Sequence, residues 1–112
     1  MAPLRDDYIL RQAQAIAGML ARVAGLRLEG EAEKARAGLD QTYAELLGPQ
    51  ADLIRRVDSA TAAVILGSPE RIRLFADLVE EEAMQERDES RGALLRARAE
   101  ELRRRLVPED AG

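Results

Sequence analysis

Residues 7–20 read DYILRQAQAIAGML, and their periodicity decides the fold class. At 100° per residue, Ile9, Ala13, Ile16, Leu20 and Val23 form one apolar stripe, with spacings of four, three, four and three. Tyr8, Ala15, Met19 and Leu26 lie along one side of that stripe; Leu10, Ala17 and Ala24 lie along the other. Only Arg11, Gln14, Gly18, Arg22 and Gly25 make a polar or bare strip. The pattern predicts a helix capped by Asp6 or Asp7 and running to about Leu26. Its apolar arc is too wide for one neighbouring helix to cover. The helix is therefore expected to sit centrally, or to be covered in part by another subunit.

Working outward, residues 27–30 break the pattern. A second helix is expected over 31–47, with Ala32, Ala35, Leu39, Thr42, Tyr43 and Leu46 on a narrower face. Gly48-Pro49 ends it, because glycine suits the position after a helix and proline cannot continue the hydrogen-bond ladder. Short helices follow over 50–57 and, capped by Asp58 or Ser59, through Leu66. At Gly67-Ser68-Pro69-Glu70 one helix stops and another starts: Ser68 is a natural N-cap, Pro69 fits the first helical position, and Glu70 meets the positive helix end. That helix is expected to bury Ile72, Phe75, Ala76, Val79 and Ala83. After a polar break at about 87–90, the last helix carries Leu95, Ala99, Leu102 and Leu106, and Val107-Pro108 closes it. The expectation is an all-α single domain over 1–112 with a frayed tail at 108–112. About four long and two short helices would form helical hairpins, either tetratricopeptide-like or a small bundle.

Composition agrees. The 112 residues include 46% apolar and 34% charged side chains, the profile of a folded chain, with room for one core rather than two. Aromatic residues are Tyr8, Tyr43 and Phe75 alone, so alanine and leucine must carry the packing. The net charge of −4 argues against nucleic acid as a partner. No apolar run approaches the roughly 20 residues of a membrane span, and MAPLRDDY lacks the basic-then-apolar pattern of a secretory signal. A cytoplasmic bacterial protein is expected.

Candidate chemistry is sparse. Nucleophilic catalysis usually sets Ser, Cys or Thr beside His, and the chain has neither Cys nor His. Ser59, Ser68 and Ser90 all fall at predicted helix starts, where capping explains them. Glu80, Glu81 and Glu82 suggest a metal site, but consecutive helical residues diverge by about 100°, and a solvated acidic face is the expected reading. The arginines of the last helix suggest phosphate binding. However, Arg96, Glu100 and Arg104 are spaced for i,i+4 pairs, as are Glu101 and Arg105, and Arg91, Arg98 and Arg105 flank the apolar stripe. No catalytic residue, cofactor or metal is expected.

Gln12 falls inside the apolar arc. An unpaired buried amide costs about 1–3 kcal/mol, so two readings stay open. It is a core residue bonded to a loop carbonyl or to Tyr43, or it is a register-setting contact between subunits. The functional expectation is a non-catalytic protein-interaction module that binds a partner, or itself as a homodimer, through an apolar helix face. The candidate surface is Tyr8, Arg11, Gln12 and Met19, with Tyr43. The alternative is a small-anion or enzymatic pocket between hairpins near Tyr43 and Arg11, where arginine could clamp the ligand.

Two resemblances follow from short motifs. Asp7-Tyr8-Ile9-Leu10-Arg11-Gln12, Tyr43-Ala44-Glu45-Leu46-Leu47-Gly48 and the Gly67-Ser68-Pro69-Glu70 break resemble the pattern of an uncharacterised family of short bacterial helical proteins. That likeness implies an all-helical fold and brings no activity with it. Gly25, Ala37, Ala44 and Pro49 also fall at the small-residue and proline spacings of a tetratricopeptide hairpin, although the large residues expected on its first helix are missing.

Overall fold

Alanine and leucine build helices here and nothing else among the described residues. A computed structural model describes the backbone of residues 3–106 and the side chains of residues 7–106. The expected tail at 108–112 and the Val107-Pro108 stop lie outside that range. In chain order the elements are α1 (Pro3–Leu28), α2 (Ala32–Leu47), a 3-10 turn (Gly48–Gln50), α3 (Ala51–Arg56), α4 (Ser59–Leu66), α5 (Pro69–Gln85) and α6 (Glu89–Arg104). The class is all-α. No described helix is long and apolar enough to cross a membrane.

The helix ends follow local chemistry. Asp58 caps α4 by accepting the Thr61 N–H at 2.9 Å, and Ser68 caps α5 by accepting the Arg71 N–H at 3.1 Å. Asp88 accepts the N–H groups of Ser90 and Arg91 at the start of α6. Two of the three serines therefore do not cap. Ser59 is the first residue of α4, with a buried hydroxyl that has no hydrogen-bond partner, and Ser90 is itself capped. In each case an aspartate just upstream occupies the extended position that a cap requires. Gly67 ends α4 with φ +84°, the left-handed conformation that glycine adopts freely. The start of α1 lies upstream of the expected cap, which places Asp7 within the helix.

Two antiparallel hairpins, α1 with α2 and α5 with α6, supply most of the packing, and α5 also lies against α1 and α2. The central helix is thus α5, not α1. It buries the expected Ile72, Phe75, Ala76, Val79 and Ala83, together with Leu74 and Leu78 from its other side, because neighbours cover both faces. At about 1.5–3 kcal/mol for each large apolar side chain taken out of water, this helix anchors the core. The expected stripes of α2 and α6 also turn inward: Ala35, Leu39, Thr42, Tyr43 and Leu46 from one, Ala99 and Leu102 from the other. Ala32 is the exception and is exposed. Thr42 is fully buried without penalty because its hydroxyl donates to the Gly38 carbonyl at 2.7 Å. At Gly38, α1 and α2 approach so closely that a Cβ there would stand 2.9 Å from Val23 Cγ2.

Candidate interaction face and arginine cleft

Of the five residues expected to share a contact surface, Tyr8, Gln12 and Met19 lie on one side of α1, Arg11 lies on its polar strip, and Tyr43 is apart from them. Tyr43 is 1% exposed and belongs to the core, so it cannot meet a partner protein. Its hydroxyl donates to Glu82 Oε1 at 2.7 Å, so it is not the partner expected for Gln12. Met19 is half-buried and packs against the core. Gln12 is half-buried in a cleft with Tyr8, Ile9, the Leu66–Gly67–Ser68 turn and Arg71. Arg11 is exposed on α1 and does not line the cleft that contains Tyr43. Tyr8 is 66% exposed. It lies in the first part of α1, whose 26 residues exceed the 16 of its hairpin partner α2.

The wide apolar arc of α1 is covered only in part. Ile16 and Val23 are buried, and Ala13, Leu20 and Leu26 pack on the core. On the flank that carries Leu10 and Ala17, the single chain covers little: Leu10 is 53% and Leu28 76% exposed, and Ala17 and Ala21 are open as well. Beside this flank runs a groove of about 470 Å³ between α1 and α5, lined by Ala17, Leu20, Ala21, Ala24, Leu74 and Met84 and by the charged Arg27, Asp77, Glu80 and Glu81. The open apolar side of α1 is thus the side opposite Met19. The signal was present in the sequence as the Leu10–Ala17 line, but only the position of α2 and α5 decides which flank is left uncovered.

The three consecutive glutamates do diverge, as helix geometry requires, but they do not form a solvated face. Glu80 reaches Arg103 at 2.6 Å, and that arginine also donates to Asp77 at 2.7 Å. Glu81 is 5% exposed; Arg27 of α1 grips both its oxygens, from Nε at 2.7 Å and Nη2 at 3.3 Å, and the Gln85 amide adds a bond at 3.2 Å. Glu82 accepts from the Tyr43 hydroxyl and has Arg55 and Arg91 each 3.5 Å away. The acidic run therefore ties α5 to α1, α2, α3 and α6. Among the described residues no three acidic groups converge as a metal site would need.

Three arginines of α6, Arg91, Arg98 and Arg103, reach across to other helices rather than pairing along their own. Only Arg104 pairs with Glu100 in the expected way, at 3.7 Å on the surface. Arg98 donates to the Ile54 and Arg55 carbonyls at the end of α3, and Arg71 of α5 donates to the Leu46 and Leu66 carbonyls at the ends of α2 and α4. Both satisfy helix C-terminal carbonyls that would otherwise lack partners.

Around Tyr43 these contacts enclose a cleft of about 490 Å³ among α2, α3, α5 and α6. Its apolar wall is Phe75, Val79, Leu94 and Leu95, and its charged wall includes Arg55, Arg56, Arg91 and Arg98 against Asp52 and Glu82. The Arg55 guanidinium lies 3.9 Å above the centre of the Tyr43 ring, a cation–π stack. Phe75 meets the Tyr43 ring edge-on at 6.1 Å. Burial, followed by the neighbouring Glu82 carboxylate, pushes the Tyr43 phenol well above the usual tyrosine range, so it stays a neutral donor. The expected anion pocket near Tyr43 thus has its counterpart here, but with arginines of α3 and α6 in place of Arg11; these and Glu82 of α5 come from three different helices, which no pattern along the chain brings together. Comparison with protein-family models, curated proteins and solved structures found no match to this chain.

Proposed function

We propose that this chain is a non-catalytic protein-interaction module that pairs with a second copy of itself through the open flank of α1. One observation carries the reading: Leu10, Ala17, Ala21 and Leu28 are all exposed, and their spacing is symmetric about Met19. Leu10 and Leu28 stand nine residues to either side of Met19, and Ala17 and Ala21 two residues. Two such helices laid antiparallel set Leu10 of one copy against Leu28 of the other. The alanines meet at the crossing, where small side chains let backbones come close. This is the self-complementarity that a two-fold interface requires. None of the four residues is charged. The groove beside Leu74 and Met84 would then receive the edge of the partner helix. The packing of α5 on both helices of the first hairpin supports a scaffold built for protein contacts.

The test uses the absence of cysteine from the chain. A variant with Leu10→Cys and Leu28→Cys should form disulfide-linked dimers under mild oxidation, and Leu10→Cys with Arg36→Cys should not. Light scattering after size exclusion should give a dimer mass for the native chain and a monomer mass for Ala21→Glu. A monomer mass for the native chain at about 500 μM, weaker than any functional dimer of ordinary affinity, would remove the proposal.

A further inference from the structure

We propose that the cleft around Tyr43 binds a small organic monoanion, a carboxylate carried on an apolar body. Four observations lead to this assignment. The cleft's volume of about 490 Å³ falls within the range of small-molecule pockets, and one wall is apolar while the other is cationic. On a chain of net charge −4, the residues lining this cleft comprise four arginines and two carboxylates. Arg55 is held in place by its stack on Tyr43, but its carboxylate partners, Asp40 and Glu82, stand 3.6 and 3.5 Å away. Charge-assisted hydrogen bonds run shorter than that, at about 2.7–2.9 Å, so Arg55 keeps donors for an incoming oxyanion. Arg91, whose Nε donates to Glu86 at 3.0 Å, brings its Nη2 to within 3.5 Å of the same Glu82 oxygen, which sets two guanidinium groups at one place, and the Nε of Arg98 is buried without a hydrogen-bond partner.

The charge of the ligand follows from what else faces the cleft. Asp52 and Glu82 are negative, and the C-terminal carbonyls of α3, already drawn to Arg98, add partial negative charge. They oppose a second charge on the ligand, so a planar monoanion that two arginines can fork is favoured over a phosphate dianion. Leu94, largely exposed, and Leu95, half-buried, take the body, with the buried Phe75 and Val79 behind them.

Calorimetric titration with 4-phenylbutyrate, 4-phenylbutanamide and phenyl phosphate tests the assignment. The carboxylate should bind with a dissociation constant below about 1 mM, and the neutral amide about tenfold or more weaker. Arg91→Gln and Arg55→Gln should each weaken the carboxylate by about tenfold, and Arg22→Gln on the polar strip of α1 should leave it unchanged. Arg91 is the surer probe, since its side chain is 60% exposed. Equal binding of carboxylate and amide, tighter binding of phenyl phosphate, no response to Arg91→Gln, or no binding of the carboxylate up to about 10 mM would each overturn the proposal.

Discussion

Replacing Arg27 with alanine takes away the group that holds Glu81, and the two halves of that pair are not equally placed. The Glu81 side chain is 6% exposed and that of Arg27 26%. Without Arg27, the carboxylate keeps only the Gln85 amide at 3.2 Å inside the α1–α5 seam. Stranding one member of a buried pair costs about 3–5 kcal/mol, and Arg27→Ala should fall in the lower half of that range. Glu81→Ala should cost less, about 1–2 kcal/mol, because the guanidinium can swing its head into water while its stem still packs. Arg27→Met with Glu81→Met should come within about 1 kcal/mol of the native chain, since two apolar side chains need no partners. Urea unfolding followed by circular dichroism measures all three. In a thermal scan, about 3 kcal/mol corresponds to a fall of roughly 10–15 °C for a chain of this size. The reasoning is refuted if Glu81→Ala is as costly as Arg27→Ala, or if the double variant is no more stable than the worse single one.

Gly38→Ala should destabilise the chain by about 1 kcal/mol, despite the better helix propensity of alanine, because the new methyl meets the buried, β-branched Val23 at 2.9 Å. Chemical denaturation checks this, and adding Val23→Ala should remove the clash and leave only the cost of the lost methyl groups. Tyr43→Phe should cost about 1–2 kcal/mol, because Glu82 loses its hydroxyl donor but keeps Arg55 and Arg91 nearby. The raised phenol pKa of Tyr43 also fixes a pH window. The folded chain holds this proton more tightly than the unfolded one, so the contribution is intact below about pH 10 and declines as pH rises further. In a Tyr8→Phe chain, where Tyr43 is the only tyrosine, tyrosinate absorbance should rise together with unfolding and not before it.

The sequence by itself determined the helices and most of their ends, though not the start of α1. Periodicity, glycine and proline placement, and caps such as Ser68 act over a few residues, so neighbours along the chain hold all the information needed. It also determined the inward stripes of α2, α5 and α6, because an apolar face has one place to go. Tertiary structure decided which helix is central and therefore which flank of α1 stays open; Met19 and Leu10 are equally apolar, and only the side taken by α2 and α5 separates them. It also decided the fate of the charges. Along the chain, Glu80, Glu81 and Glu82 look like a wet surface and the arginines of α6 like a self-neutralising one. In the fold, Glu81 finds Arg27 across 54 residues and Glu82 finds Tyr43 across 39. Charge attraction has no periodicity to read. Its partners are fixed only once packing has brought distant helices together, and the Tyr43 cleft with its arginine wall exists only because of that packing.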